Sequence, residues 1–214
     1  MPLITKIATQ KRRANRRNIF LDGKFAFGCN LNVVARFRLR EGLSLGDEQV
    51  RSILDGEVRQ ECFDKAMTYL QVRLHTRSEL SKKLMRREYG SKVIDAVLDD
   101  LIRLGYVDDL RFAQTMAQSG VERKKHGPRR AMVELARRGV SREVARRAVA
   151  LTYESRDAMA IAREFAQKHA ARLRKLEPEV ARRRLAGMLQ RRGFDIGDIG
   201  VVIDEALGPV GESD

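Results

Sequence analysis

Apolar residues return at intervals of three and four in three separate stretches of this chain, and each stretch carries the same punctuation. Leu80 and Leu84 mark the first stretch, Ala131, Met132, Leu135 and Ala136 the second, and Ala181, Leu185 and Leu189 the third. Thr76-Arg77-Ser78-Glu79 forms a capping box ahead of the first. Gly127-Pro128 and Glu177-Pro178 stand at the corresponding places, where proline costs little because that amide has no helical partner. Gly90, Gly139 and Gly193 are placed to end these helices in the left-handed conformation. A further helix follows each: Ile94, Val97, Leu98 and Leu101; then Val144, Ala145, Ala148 and Val149; then Ile199, Val202, Ile203 and Leu207. The third middle helix reads about one turn longer than the others. Self-similarity at roughly 50 residues predicts tandem three-helix units, each too small to bury its own apolar stripe without a neighbour.

The seam between the first two units follows from local rules. Gly105 closes a helix, Asp108 caps the next, and Val107 and Phe112 occupy the two positions of a hydrophobic staple. Asp109 falls in the first turn, where a carboxylate meets the positive helix end. A metal role for Asp108 and Asp109 lacks a third ligand at workable spacing. Tyr69, Tyr89, Tyr106 and Phe112 fall among apolar helix positions and are expected in the core rather than as base-stacking residues. His75, His126 and His169 occupy equivalent inter-helix neighbourhoods and read as surface turn residues.

Before the repeats the pattern changes to β. Ile4–Ile7 reads as a strand, and Ile19–Leu21, Asp22-Gly23 and Lys24–Phe27 as a hairpin whose turn needs positive φ at both central residues. Lys11–Arg17, with five basic residues in seven, reads as an exposed loop, either a phosphate-gripping finger or a solvated connection. Leu31, Val34 and Phe37 share one face of a short helix that stops near Gly42. Ser44, three positions before Asp47, marks the next helix start, and that helix runs to about Leu74 with Gly56 as a candidate break. The expected organisation is mainly α. It comprises a β-hairpin segment with a short helix (1–45), a linker helix and first repeat (46–107), a second repeat (108–155), a third (156–208) and an acidic tail (209–214).

Charge changes this picture from scaffold to surface. The net charge is +14, and two windows carry almost all of it: Val121–Arg147 has ten basic against three acidic residues, and Arg172–Gly193 eight against two. Residues 194–214 hold six acids and no Lys or Arg. A patchy surplus of that size favours an acidic partner. Two cysteines, Cys29 and Cys62, and three histidines do not match metal-ligand spacing, so no metal or cofactor is expected. No apolar run resembles a signal peptide or membrane span, and the chain is expected in the cytoplasm with reduced, core-packed thiols. No phosphate-cradling Gly-rich motif or nucleophile–base arrangement stands out, which argues against an enzyme.

The candidate contact residues lie mainly on the second repeat. With Ala131, Met132, Leu135 and Ala136 buried, Arg130, Glu134, Arg137 and Arg138 face outward. On the next helix Arg142, Arg146 and Arg147 do the same, and Arg123, Lys124 and Lys125 occupy the preceding turn. These charges are expected to converge on one face. Glu134 lies four residues from both Arg130 and Arg138, but one glutamate cannot neutralise so many arginines. Secondary candidates are Arg73, Arg77, Lys82 and Lys83 in the first repeat and Arg182, Arg183 and Arg184 in the third. Arg111 fits either a contact or a structural salt bridge.

Three motifs in order carry a resemblance to a known family: Arg73-x-x-x-Arg77-Ser78-Glu79-Leu80, Gly105-Tyr106-x-Asp108-Asp109-x-Arg111-Phe112-Ala113, and Gly127-Pro128 followed by Glu134-Leu135. With Ala66, Leu70, Leu84, Arg123 and Gly139, they resemble the RecX family, regulators of the RecA recombinase. The resemblance covers roughly 57–155 well and the third repeat weakly. It implies tandem three-helix repeats in an elongated, curved molecule. It also implies a cytoplasmic protein that binds the RecA–DNA filament, lies in its groove and restrains its ATP hydrolysis, strand exchange and growth; the chain is expected to be a monomer. DNA itself is then a secondary partner. The competing reading is a sequence-independent DNA-binding or architectural protein that applies the same arginines to phosphates.

Overall fold

The computed structural model describes residues 1–209 as ten helices and three strands; residues 210–214, nearly all of the expected acidic tail, lie outside the described residues. The chain divides into two compact units, 1–74 with 80–106, and 75–79 with 107–214.

In the first unit β1 (Ile4–Gln10), β2 (Arg13–Leu21) and β3 (Lys24–Asn30) form an antiparallel sheet in that order. The Asp-Gly turn behaves as its chemistry requires: Leu21 pairs with Lys24, and Asp22 and Gly23 adopt φ of 46° and 80°. Lys11–Arg17 is not a loop. Lys11 and Arg12 make the turn, and Arg13 onward is β2. The charge that argued against packing is held by a partner. Arg16 lies 2.8 Å from Glu57, a buried carboxylate that also accepts the Asn30 N–H at 2.6 Å. A buried carboxylate needs such partners to remain charged.

Helix α1 (Leu31–Arg36) ends earlier than expected. Arg38 turns to φ 51°, and Gly42, at φ 82°, donates its N–H to the Ile4 carbonyl at 2.8 Å. Val33 takes the core position and Leu31 is exposed. Helix α2 (Asp47–Leu70) starts after Gly46 rather than Ser44, with the Gly46 N–H capped by Gln49 Oε1 at 2.8 Å. It is unbroken at Gly56, where a Cβ would lie 2.7 Å from the Phe37 ring, so that glycine serves close packing and not a kink. Cys29 and Cys62 are free and buried, and burial pushes both thiols up to about 11, so they are inert.

The repeats follow as α3 (Arg77–Met85) and α4 (Ser91–Arg103); α5 (Asp109–Lys124), α6 (Pro128–Arg137) and α7 (Arg142–Glu154); and α8 (Ala158–Leu173), α9 (Pro178–Arg192) and α10 (Ile196–Leu207). The expected caps form: Thr76 Oγ1 accepts the Glu79 N–H at 3.0 Å, and Asp108 accepts that of Arg111 at 3.0 Å. Gly105, Gly139 and Gly193 take φ of 75°, 75° and 79°. Gly90 does not: at φ −65° it precedes α4 as its N-cap, and Glu88 makes the left-handed turn after α3 at φ 64°. α9 has 15 residues against 10 in α6, the extra turn read from the sequence.

Phe112, Leu135, Ala145 and Ala148 lie in the core of the second repeat, and Phe165, Leu185, Leu189, Val202 and Ile203 in that of the third. Further expectations about exposure fail. Ala136 is exposed because α6 stops one residue later, and Tyr106 is half exposed because it sits in the turn after Gly105. His75 is buried at 2% exposure rather than on the surface, and His169 lies within α8, half-buried, rather than in a turn.

Candidate nucleic-acid interface

Two junctions of the same design lie in the second unit. In each, a left-handed glycine at the end of one middle helix abuts the first turn of the preceding repeat's middle helix. At the first, Thr76 Oγ1 donates to the Arg138 carbonyl at 2.8 Å, and a Cβ on Gly139 would fall 2.3 Å from Ser78 Oγ. At the second, the Gly127 and Arg129 N–H groups donate to the carbonyls of Arg192 and Gly193 at 2.8 and 3.1 Å. A Cβ on Gly193 would fall 2.2 Å from the Arg130 nitrogen. Glycine is therefore required twice over, for its φ and for the close approach.

The junctions differ at the third position of the receiving helix. The third residue of α3 is Glu79 and that of α6 is Arg130. At the first junction Arg138 Nη1 meets Glu79 at 2.9 Å, and the charges cancel. At the second, Arg129 meets Asp195 at 2.6 Å, but Arg192, the counterpart of Arg138, has no carboxylate partner among the described residues. An open cleft of about 490 Å³ results, lined by Arg123, Lys124, His126, Arg130, Arg191 and Arg192. Arg130 also reaches Glu134 at 2.6 Å, but Arg123, Lys124 and Arg191 have no salt-bridge partner among the described residues. The Arg192 guanidinium lies over the Phe165 ring at 4.5 Å, which fixes its direction. At the start of α6 Pro128 has no N–H, and carbonyls occupy those of Gly127 and Arg129, so attraction for anions here comes mainly from side chains.

His126 records the local field. Burial first, then the charges of Lys124, Arg130 and Arg192, hold its imidazole below the usual 6.5, with Glu134 opposing. Its carbonyl accepts the Tyr153 hydroxyl at 2.6 Å, and burial pushes that phenol up to about 12.

The expected single face of the second repeat does not form as such. Arg137 lies 3.6 Å from Glu134, Arg138 is bound to Glu79, and Lys125, a left-handed cap at φ 50°, places Nζ 2.7 Å from Glu164. Arg142, Arg146 and Arg147 are exposed on α7 but do not line the cleft. In the third repeat Arg182 is a clamp, bound to Asp204 and, at 2.7 Å, to the Gly208 carbonyl, while Arg183 and Arg184 are exposed. Arg77 donates its backbone N–H to Asp109 at 2.8 Å, a second task for that carboxylate. Arg111 is exposed with no ion pair among the described residues. In the first unit Arg73 Nη1 donates to the Leu74 carbonyl at 2.7 Å, Lys83 lies over the Tyr69 ring at 4.5 Å, and Lys82 is exposed. No group of three or more His, Cys, Asp or Glu among the described residues is arranged to hold a metal, and no described helix is long and apolar enough to cross a membrane.

Arg191 and Arg192 are the residues missed by sequence reasoning. The signal was present: they precede Gly193 as Arg137 and Arg138 precede Gly139. Reading outward faces helix by helix hid a cleft assembled from two repeats.

Comparison with known proteins identifies the scaffold. Residues 2–45 match the RecX N-terminal domain, 62–101 the first RecX three-helix domain, 108–149 the second and 156–203 the third. A curated relative from Bacillus velezensis, "Regulatory protein RecX", is 30% identical over 210 residues, covering 96% of this chain and 78% of that protein. The chain belongs to the RecX family. The RecX of Bacillus subtilis is 29% identical over 205 residues, covering 96% and 77%. A crystal structure of regulatory protein RecX superposes with a TM-score of 0.82 at 25% identity, over 95% of this chain and 100% of that one. RecX from Lactobacillus salivarius shares the fold at a TM-score of 0.66 and 22% identity, over 71% and 97%. The sheet and all three helical repeats are thus RecX domains, including the third repeat, where the motif resemblance was weak.

Proposed function

We propose that this chain is a non-enzymatic, monomeric cytoplasmic regulator that docks on the RecA–DNA filament and restrains its ATP hydrolysis, strand exchange and growth. The observation that carries the reading is the cationic cleft at the second junction, where Arg123, Lys124, Arg191 and Arg192 have no ion-pair partner among the described residues. Family membership supplies the regulatory role, and the junction supplies a surface suited to a polyanionic assembly. Arg123, Lys124, Arg130, Arg191 and Arg192 make the main contact, with Arg142, Arg146 and Arg147 flanking it. Arginine suits this task because its planar fork binds phosphate or carboxylate through two hydrogen bonds.

The test is RecA ATPase on single-stranded DNA with increasing amounts of the protein. Wild type should lower the rate, and a variant combining Arg130→Glu and Arg192→Glu should lose that effect at equal helical content. Full inhibition by the variant would sink the reading. The same five cations also support sequence-independent DNA binding as the whole function. Salt separates the two readings: binding to bare duplex falls with a log–log slope of about −0.9 per neutralised phosphate. Equal affinity for bare DNA and for the filament at about 0.15 M salt would favour the simpler DNA binder.

A further inference from the structure

A second cleft lies entirely within the third repeat and differs in chemistry from the cationic junction. It encloses about 540 Å³, and its arginines, Arg172, Arg183, Arg184 and Arg191, share the wall with Leu173, Leu176, Gly187 and Met188. None of the four arginines has an ion-pair partner among the described residues. The apolar part is anchored in the core: Leu173 is buried, and Leu176 and Met188 pack against the same cluster. His169 adds a planar wall, its ring centroid 4.5 Å from that of buried Phe165. Burial, and then Lys168, Arg192 and Arg172, lower its pKa, which favours the neutral ring. Gly187 keeps the cleft open, since its nearest neighbour for an added Cβ is the mobile end of Arg191 at 3.2 Å.

A solvated helix face has no need of an apolar hollow, and a phosphate-only site has no need of Leu173, Leu176 and Met188. An occupant must be anionic at the rim and flat and apolar inside. We propose that this cleft is a base-binding subsite for single-stranded nucleic acid, with one nucleobase lying against His169, Leu176 and Met188 and its flanking phosphates held by Arg172, Arg183 and Arg184. The volume is in the range of small-ligand pockets. Aromatic and apolar platforms with arginine beside them are the usual means of holding unpaired bases without sequence preference. Arg191 lines both clefts, so a strand on this subsite continues onto the cationic junction.

The inference deepens the proposed role by placing a DNA strand, and its test uses the full chain without recombinase. Fluorescence anisotropy with a labelled oligo-dT and an abasic oligomer of equal length measures the contribution of the bases. Wild type should bind oligo-dT about ten-fold tighter than the abasic strand, as stacking of one or two bases implies. Gly187→Leu, which fills the cleft and keeps every arginine, should abolish that difference while leaving abasic binding unchanged. His169→Gln should reduce the difference without filling the cleft, and circular dichroism checks that both variants fold. Equal wild-type affinity for the two strands overturns the subsite, as does a difference that survives in a folded Gly187→Leu. Tighter binding of a labelled acidic–apolar peptide than of oligo-dT would also overturn it, in favour of a protein segment. Failure of ATPase inhibition with the base preference intact would count against the regulator reading alone.

Discussion

The two junctions of the second unit share one backbone solution and diverge in charge. Both set a glycine of positive φ against a helix start, at Gly139 and at Gly193, and both leave no room for a Cβ. Glu79 answers Arg138 at one, whereas at the other Asp195 and Glu134 pair with Arg129 and Arg130 and leave Arg192 without a carboxylate among the described residues. Structural needs explain the first arrangement. They do not explain the second, where Arg123, Lys124, Arg191 and Arg192 gather around one cleft with no carboxylate partner among the described residues. Tolerating their mutual repulsion is expected where an external anion relieves it.

The largest expected effects break the shared backbone solution. Gly139→Ala and Gly193→Ala should each cost about 2–4 kcal/mol in urea denaturation, combining left-handed strain with a clash. Gly105→Ala has the same φ sign but nothing within 4 Å of its Cβ, and should cost only about 1 kcal/mol. Equal losses at all three would mean that close approach contributes nothing.

Exchanging the charge at the third helix position sharpens the contrast. Arg130→Glu gives the second junction the first junction's acid and should weaken oligonucleotide binding about ten-fold, at a stability cost of about 0.5–1 kcal/mol because it replaces the Arg130–Glu134 pair by two acids one turn apart. Glu79→Arg should do the reverse, strengthening binding about two-fold while removing a part-exposed ion pair worth at most about 1 kcal/mol. Removing Arg191 and Arg192 together should lower the salt slope by about two. An unchanged slope would place the phosphate contacts elsewhere, with Arg142, Arg146 and Arg147 the next to be tested.

The smallest effect is a titration. In the folded chain His126 should lose its proton below the ordinary 6.5, as measured by NMR, because burial and three cations disfavour the charged ring. A depressed folded pKa means that the unfolded chain binds the proton more readily. This group's contribution to stability is therefore present above 6.5 and is lost as pH falls toward the folded value. Bound oligonucleotide, or Arg130→Glu, should raise that pKa; no movement with DNA would put the strand away from this cleft.

Much of the scaffold was legible because its determinants are local. A capping hydroxyl at Thr76, a carboxylate at Asp108 and glycines at 105, 139 and 193 act within one turn of chain, and each does what its type predicts. Reading failed where a distant partner changed the meaning of a residue. Arg16 looked like part of a solvated loop until Glu57 arrived from α2, and Gly56 looked like a break until Phe37 packed on it. Gly90 looked like a stop, but Glu88 makes that turn, and nothing lies within 4 Å of a Cβ placed on Gly90.

By itself, then, the sequence determined the mainly helical class, the three repeats, the N-terminal hairpin and the excess of positive charge. These depend on spacing, caps and composition, all readable along the chain. The tertiary structure alone decided which cations remain uncompensated. Charges add in space, and the residues that cancel Arg138 but leave Arg192 beside Arg130 lie more than fifty positions away in each case.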